Sequence, residues 1–568
     1  MPLGAVISPR NALLLAGALV FAGAFAGAAA CRRASSAAPI GSAGASSVDG
    51  DAPTPPPPPP TKPGETPKLA SKAMETWIYE QPSSASTKLG YLRAGSIVER
   101  KAGPLGKKDC PGGWYGVAPR GYVCVGKEAT LDPSDPIVTA SSRRPDLSAG
   151  LPYGYAVVRN AGAPFYTRIP TIEEAKTFEP DWDFHFRTLE GAEHEESVEG
   201  GYPELSSLPK GSTLAPNEAG KFPLEPAPGV LAGWASDGLD DPTPSCLAAS
   251  SAGGGFVPNL SGLAWSGRPA YEGGTSCPPD QRGCIPLDAA RPKKRLGISF
   301  IDTIATADRR YLLTTDLLLM PADRVRLVRG TSFHGVELGA ASGTQQGLEL
   351  PIVIVKREGA KRYRIEGKKM VAGEELPWRA MLKATSKQRV FGGVHYHELA
   401  DGSFVSDKDG VRLDPIKKAP KWAKDGERWI EVNLAKQTLL AVDGERPVYA
   451  TLVSTGAGGL ESPDANPYVT PRGIFRIHTK HVAATMDSKQ PEAEFELRDV
   501  PYIQYFKDGY ALHAAYWHDQ FGQPRSHGCI NLAPIDAKWL FGFTKPELPP
   551  GWHGVLLPLK GTVVWIHA

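Results

Sequence analysis

Glycine and proline constrain this chain first. There are 62 glycines and 54 prolines among 568 residues, about one position in five where average usage gives about one in eight. Proline removes a backbone donor and fixes φ, and an interior glycine costs a helix about 1 kcal/mol. Long helices are therefore interrupted, a helical bundle is excluded, and short strands joined by turns are expected. The prolines are clustered: nine fall between Pro53 and Pro67, six of them in the unbroken run Pro55–Pro60. Such a stretch adopts polyproline II, and the fifteen positions from Pro53 to Pro67 would hold their ends ~45 Å apart at ~3.1 Å per residue. The 63 basic and 61 acidic side chains leave a charge of +2, so no field favours nucleic acid as a partner. Hydrophobic residues at 41% suffice for cores, and the length suggests roughly four domains.

Upstream of the spacer, Arg10 precedes the apolar run Ala12–Ala30, which ends in Ala28-Ala29-Ala30 before Cys31. A charged start, an apolar core and small residues at the cut describe an export signal over 1–30. The position of Cys31 resembles the bacterial lipoprotein signal, which implies lipidation of Cys31 and a membrane partner through that anchor. The family pattern usually has Leu where this chain has Ala28. Residues 31–71 then read as an Ala/Ser/Pro-rich linker, and the expected location is the cell envelope, on the periplasmic side.

Residues 72–128 read as five short strands, at Thr76–Tyr79, Lys88–Leu92, Ser96–Lys101, Trp114–Ala118 and Gly121–Val125, punctuated by glycines. This stretch resembles a bacterial SH3-like wall-targeting module, with Trp77, Tyr79, Trp114 and Tyr115 as the matching aromatics; the resemblance implies a small barrel. Cys110 and Cys124 are expected to form a disulfide in an exported domain. Residues 145–425 carry strand-like runs at Ile298–Thr303, Arg310–Leu319, Arg324–Arg329, Leu348–Val355 and Tyr363–Glu366, without a chemical constellation. They are expected to form an accessory β-rich region of more than one unit. Cys277 and Cys284 make a second candidate pair, which leaves Cys246 alone unless it displaces one of them.

Chemistry concentrates at the C-terminus. Seven of the twelve histidines lie in the last 91 residues. Trp429–Leu434 alternates apolar and polar residues, and Leu439–Val442, Asp443-Gly444 and Val448–Ser454 read as a hairpin. Ile474–His478 reads as a further strand, and Ile535–Phe541 as a helix opened by Pro534 and Asp536. Within this β-rich stretch of 427–568, Cys529 follows His527 by two residues and His513 by sixteen. Thiols are nucleophilic as thiolates, and a nearby imidazole can take the proton. Gly528 permits a close backbone approach, so the amides around it are candidate oxyanion donors.

The segment Ser526-His527-Gly528-Cys529-Ile530-Asn531, preceded by His513, resembles the signature of the L,D-transpeptidase family. Further landmarks agree: Ser454-Thr455-Gly456, Thr470-Pro471-Arg472-Gly473, Met486-Asp487-Ser488, Tyr516-Trp517-His518-Asp519, Phe521-Gly522 and Pro549-Pro550-Gly551-Trp552. The resemblance implies Cys529 as nucleophile, His513 as general base and acid, His527 as a positioning group and Gly528 as oxyanion backbone. It further implies Ser526, Asn531, Arg525, Trp517 and Met486 as substrate-binding residues. Ala514 stands where many members have Ser or Gly; if its backbone carbonyl orients the imidazole, Ala serves equally. The implied activity is acyl transfer on peptidoglycan stem peptides through a thioester, sensitive to carbapenems and without cofactor or metal. A stem amine or a wall-attached protein would be the acceptor.

Three other functions fit parts of the pattern. A carboxypeptidase would use the same thiol with water as acceptor. A non-catalytic wall-binding lipoprotein would use only the anchor, spacer and SH3-like module. A zinc hydrolase would need ligands such as His478, His481 and His513; alternating strand geometry points the first two to opposite faces. The fold expected overall is mainly β and multidomain, with few helices.

Overall fold

Short apolar alternations become strands throughout the computed structural model. It describes residues 66–142, 144–158, 164–166, 170–185, 288–290, 296–305, 310–328, 330–340, 347–462, 465–488, 495–557 and 560–568. The chain divides after Pro56 into two units, and all of these residues belong to the second. The expectations for the signal, Cys31, the polyproline run and Cys246, Cys277 and Cys284 lie outside the described residues. Among the described residues, no helix is long and apolar enough to cross a membrane.

The expected mainly β fold is present, its described strands falling into four sheets, the largest of sixteen strands drawn from the N-terminal, middle and C-terminal stretches. Strand Leu296–Ala305 pairs in parallel with Phe495–Lys507, and Lys88–Leu92 pairs with Gly554–Leu556. The strands of the 72–128 stretch therefore do not close into the expected barrel. Lys68–Ser71, Ile97–Glu99 and Ala129–Thr130 form a small sheet of their own, while Thr76–Tyr79 and Lys88–Leu92 continue into the large one. Gly90 permits that junction, because a Cβ there would lie 2.2 Å from the Gly554 carbonyl oxygen. Cys110 and Cys124 are bonded, with Cα atoms 5.6 Å apart.

A buried ion pair closes this junction. Arg93 meets Asp499 with both guanidinium nitrogens, one at 2.9 Å, and Ser299 and Thr315 also donate to the carboxylate. Tyr155 donates to the Asp499 carbonyl at 2.7 Å. Desolvation works against the Asp499 charge; the neighbouring guanidinium and the donated hydrogen bonds outweigh it and hold the carboxyl at about 2. A charge this deeply buried is tolerable only when so fully paired.

The C-terminal part is a sandwich. Strands Arg428–Asn433, Thr438–Asp443, Arg446–Leu452, Gly473–Arg476 and Val563–His567 build one sheet, joined by Val336–Glu337. Its inner face packs Ile430, Val432, Leu439, Val564 and Ile566 against Leu512, Ile530 and Leu532 of the large sheet. The expected hairpin forms, with Asp443 opposite Arg446, so its two-residue loop is Gly444-Glu445 and Gly444 takes φ +61°. The expected helix spans Pro534–Phe543, begins with Pro in its first turn and packs Ala537, Leu540 and Phe541 into the same core. A separate sheet over 352–413 carries the strand pair Met381–Phe391 and Val394–Leu399.

Candidate active site

Two strands place the reactive groups. Tyr510–Ala514 pairs in parallel with Ile530–Leu532, in a register that sets His513 opposite Asn531. Side chains alternate along a strand, so His513, Asn531 and Cys529 share one face of the pair. Cys529 is half-buried and is the one free cysteine among the described residues.

The turn before Cys529 is shaped by its own side chains. The Ser526 hydroxyl accepts from the Gly528 amide at 3.0 Å and donates to the Cys529 carbonyl. Gly528 has φ +116°, and a Cβ there would lie 2.6 Å from the Tyr510 ring, so glycine is required. The two upstream landmarks hold this turn from outside. Thr470 donates to the Gly528 carbonyl at 2.8 Å and accepts from the Gly456 amide at 2.8 Å. Ser454 exchanges backbone bonds with Asn531, and the Thr455 carbonyl accepts from the amides of Arg525 and Ser526.

His513 is buried, and its Nδ1 lies 3.0 Å from the Ala514 carbonyl oxygen. A carbonyl only accepts, so Nδ1 carries the proton and Nε2 is left as the basic nitrogen. This is the backbone contact expected at Ala514. Burial pulls the imidazole down to about 4 and pushes the Cys529 thiol up to about 11. A hydrogen bond from the Ala511 backbone to the sulfur works the other way, favouring the thiolate. Both groups are consequently neutral at pH 7.

His518 completes the arrangement. Its Nδ1 accepts from the Gln520 amide at 3.2 Å, so the proton of the neutral ring sits on Nε2, 2.9 Å from the Asn531 side-chain amide. Burial draws this imidazole down to about 3, which keeps it neutral. The Asn531 nitrogen is the atom on the His518 side and its oxygen has no partner among the described residues; two N–H groups cannot bond each other, so the amide is assigned the other way round, with its oxygen toward His518 and its NH2 left without a protein partner.

These groups surround a depression of about 490 Å³, counting the space open to solvent. Of the residues singled out from sequence, Cys529, His513, His527, Ser526, Asn531, Arg525, Trp517 and Met486 all line it. Gly528 does not, and its amide faces Ser526 rather than an incoming oxygen. The hydroxyl of Ser526, a residue expected at the substrate, also closes the turn. His527 stands edge-on to the Tyr468 ring at 4.7 Å, and Trp517 stacks on His513 at 5.7 Å. Leu497 joins the lining unannounced. It arrives as the cross-strand partner of Met486, and a register across a long hairpin leaves no local mark in sequence.

The remaining C-terminal histidines have protein partners: His481 meets the Tyr91 hydroxyl at 2.9 Å, His553 the Ala483 carbonyl at 3.0 Å and His567 the Glu431 carboxylate at 2.8 Å. His478, weighed with His481 as a metal ligand, contacts Thr479 at 2.9 Å.

Residues 427–566 match the family model YkuD, the L,D-transpeptidase catalytic domain. The putative L,D-transpeptidase YciB of Bacillus subtilis (strain 168) is 31% identical over 120 residues, 20% of this chain and 59% of that protein. The chain thus spans less than two thirds of this curated relative. Among solved structures, the L,D-transpeptidase of Stackebrandtia nassauensis is 26% identical over 27% of this chain and 58% of its own, with a TM-score of 0.18. The catalytic domain of the Enterococcus faecium L,D-transpeptidase is 23% identical over 25% of this chain and 98% of its own, with a TM-score of 0.19.

Proposed function

We propose that this protein, whose residues 427–566 match the L,D-transpeptidase catalytic domain, exchanges the terminal D-alanine of a peptidoglycan tetrapeptide stem for an amine, through a thioester on Cys529. The observation that carries the reading is the tautomer of His513: with Nδ1 bound to the Ala514 carbonyl, Nε2 is the base in the pocket that holds the thiol.

The cycle follows from two neutral partners. As Cys529 Sγ bonds to the carbonyl carbon before D-alanine, His513 Nε2 takes the thiol proton. The oxyanion meets the Cys529 amide and the Asn531 NH2, the Gly528 amide being committed to Ser526. Imidazolium returns the proton to the departing amine of D-alanine, the carbon–nitrogen bond breaks and a thioester remains. The acceptor amine then attacks the thioester and loses its proton, the sulfur leaves and the thiol is restored. The guanidinium of Arg525 at the pocket is suited to a stem carboxylate. Trp517 and Met486 supply apolar walls that displace water from the thioester. The Cys110–Cys124 disulfide supports an oxidising, exported setting in the cell envelope.

Mass spectrometry of products from a tetrapeptide donor, with and without an amine acceptor, tests the reading. Wild type is expected to release D-alanine and form the cross-linked product. Cys529→Ala should lose turnover entirely, and His513→Ala should lose about 10²–10⁴-fold. Undiminished turnover in Cys529→Ala would defeat the proposal, and release without transfer at saturating acceptor would make the chain a carboxypeptidase.

A further inference from the structure

Arg379 lies in the turn between the strands Lys369–Glu375 and Met381–Phe391 of the sheet over 352–413, far upstream of the thiol in sequence, yet its side chain packs against the loop that carries Trp517 and His518 into the thiol pocket. Its Nη2 donates to the Asp519 carbonyl at 2.6 Å, and its Nη1 to the Thr331 hydroxyl at 3.2 Å. It also forms an ion pair with the Asp519 carboxylate at 2.5 Å, off the N–H axis, and both side chains are about nine-tenths buried. The guanidinium packs 4.4 Å from the centre of Phe333 and 3.9 Å from that of Trp378, and Phe333 stacks on Phe521. Arg379 itself has φ +66°, a region that strains a non-glycine residue and persists only where surroundings enforce it. Here its own amide is held by the Val355 carbonyl at 2.9 Å.

The residues it grips lead to the chemistry. Asp519 follows His518, whose ring lies 4.9 Å from Phe521 and whose Nε2 faces Asn531, opposite His513 in register. Trp517, on the same loop, stacks on His513. We infer that Arg379 is a positioning residue for the thiol site: the upstream β-unit reaches across with one arginine to fix the 517–522 loop, and with it Trp517, His518 and Asn531. The 352–413 unit is thereby a structural part of the site and sets how well the thioester is shielded from water.

This rests on the proposed transfer reaction, and the test keeps the two apart. In the full chain, Arg379→Ala is expected to lower kcat by about 10–100-fold, as a displaced catalytic wall does, with KM changed less than about twofold. The fraction of thioester lost to water rather than transferred should rise, and alkylation of Cys529 by iodoacetamide should speed up several-fold as the wall loosens. Arg379→Lys, which keeps the charge but not the fork, should fall between. Activity that falls only with the folded fraction, at unchanged partition and alkylation rate, would overturn the inference, as would wild-type behaviour in all three. If wild type transfers nothing, the reaction is wrong, while the alkylation rates still decide the role of Arg379.

Discussion

At the residue scale, the site pairs a thiol that resists losing its proton with an imidazole that resists gaining one. Burial acts on both in the same sense, toward the neutral forms. A resting thiolate–imidazolium pair is therefore disfavoured, and in the proposed reaction proton transfer accompanies attack on the substrate. The pH response of the free thiol follows directly. Alkylation of Cys529 in the folded protein should rise with pH toward a midpoint of about 11, above the ordinary thiol value near 8.5. Denatured protein should titrate near the ordinary value. A native midpoint at or below 8.5, measured from iodoacetamide rates between pH 6 and 11, would show a preformed thiolate instead.

At the element scale, the parts of the site legible in sequence are those coded locally. Ser526 to Asn531 is one turn and the start of one strand, and the glycine at 528 marks its tight conformation. The strands Thr76–Tyr79 and Lys88–Leu92 and the helix near 535–541 carry their own alternation, punctuation and proline start. The barrel expected at 72–128 depended on which edges meet, and the Lys88–Leu92 edge meets Gly554–Leu556, more than four hundred residues away. Leu497 and Arg379 escaped notice for the same reason. Leu497 reaches the pocket, and Arg379 the loop behind it, through a pairing or contact between distant segments, and nothing in either neighbourhood advertises it. The landmarks around Ser454 and Thr470 were visible as motifs; their task of holding the Gly528 turn required the hydrogen bonds.

At the scale of the described residues taken together, one sheet runs from the N-terminal strands through Gly554–Leu556, Thr479–Ser488 and Phe495–Lys507 to the upstream strands Leu296–Ala305 and Arg310–Thr314. The Arg93–Asp499 pair sits where these parts join, with Ser299 and Thr315 bonded to the same carboxylate. Arg93→Ala would leave Asp499 buried and uncompensated, so unfolding stability should drop by about 3–5 kcal/mol. The described parts should melt together, since the affected sheet is shared. Denaturant unfolding followed by tryptophan fluorescence measures this; a change under about 1 kcal/mol would mean that the junction contributes little.

The proposed thioester on Cys529 is the step that decides the proposed chemistry. Intact-protein mass spectrometry of the full chain, quenched in acid soon after mixing with a tetrapeptide donor and no acceptor, observes it directly. The expected result is a mass increase equal to the donor less D-alanine, mapped by proteolysis to the peptide bearing Cys529 and absent in Cys529→Ala. D-alanine release with no adduct at any quench time, or an adduct that persists in Cys529→Ala, would contradict it.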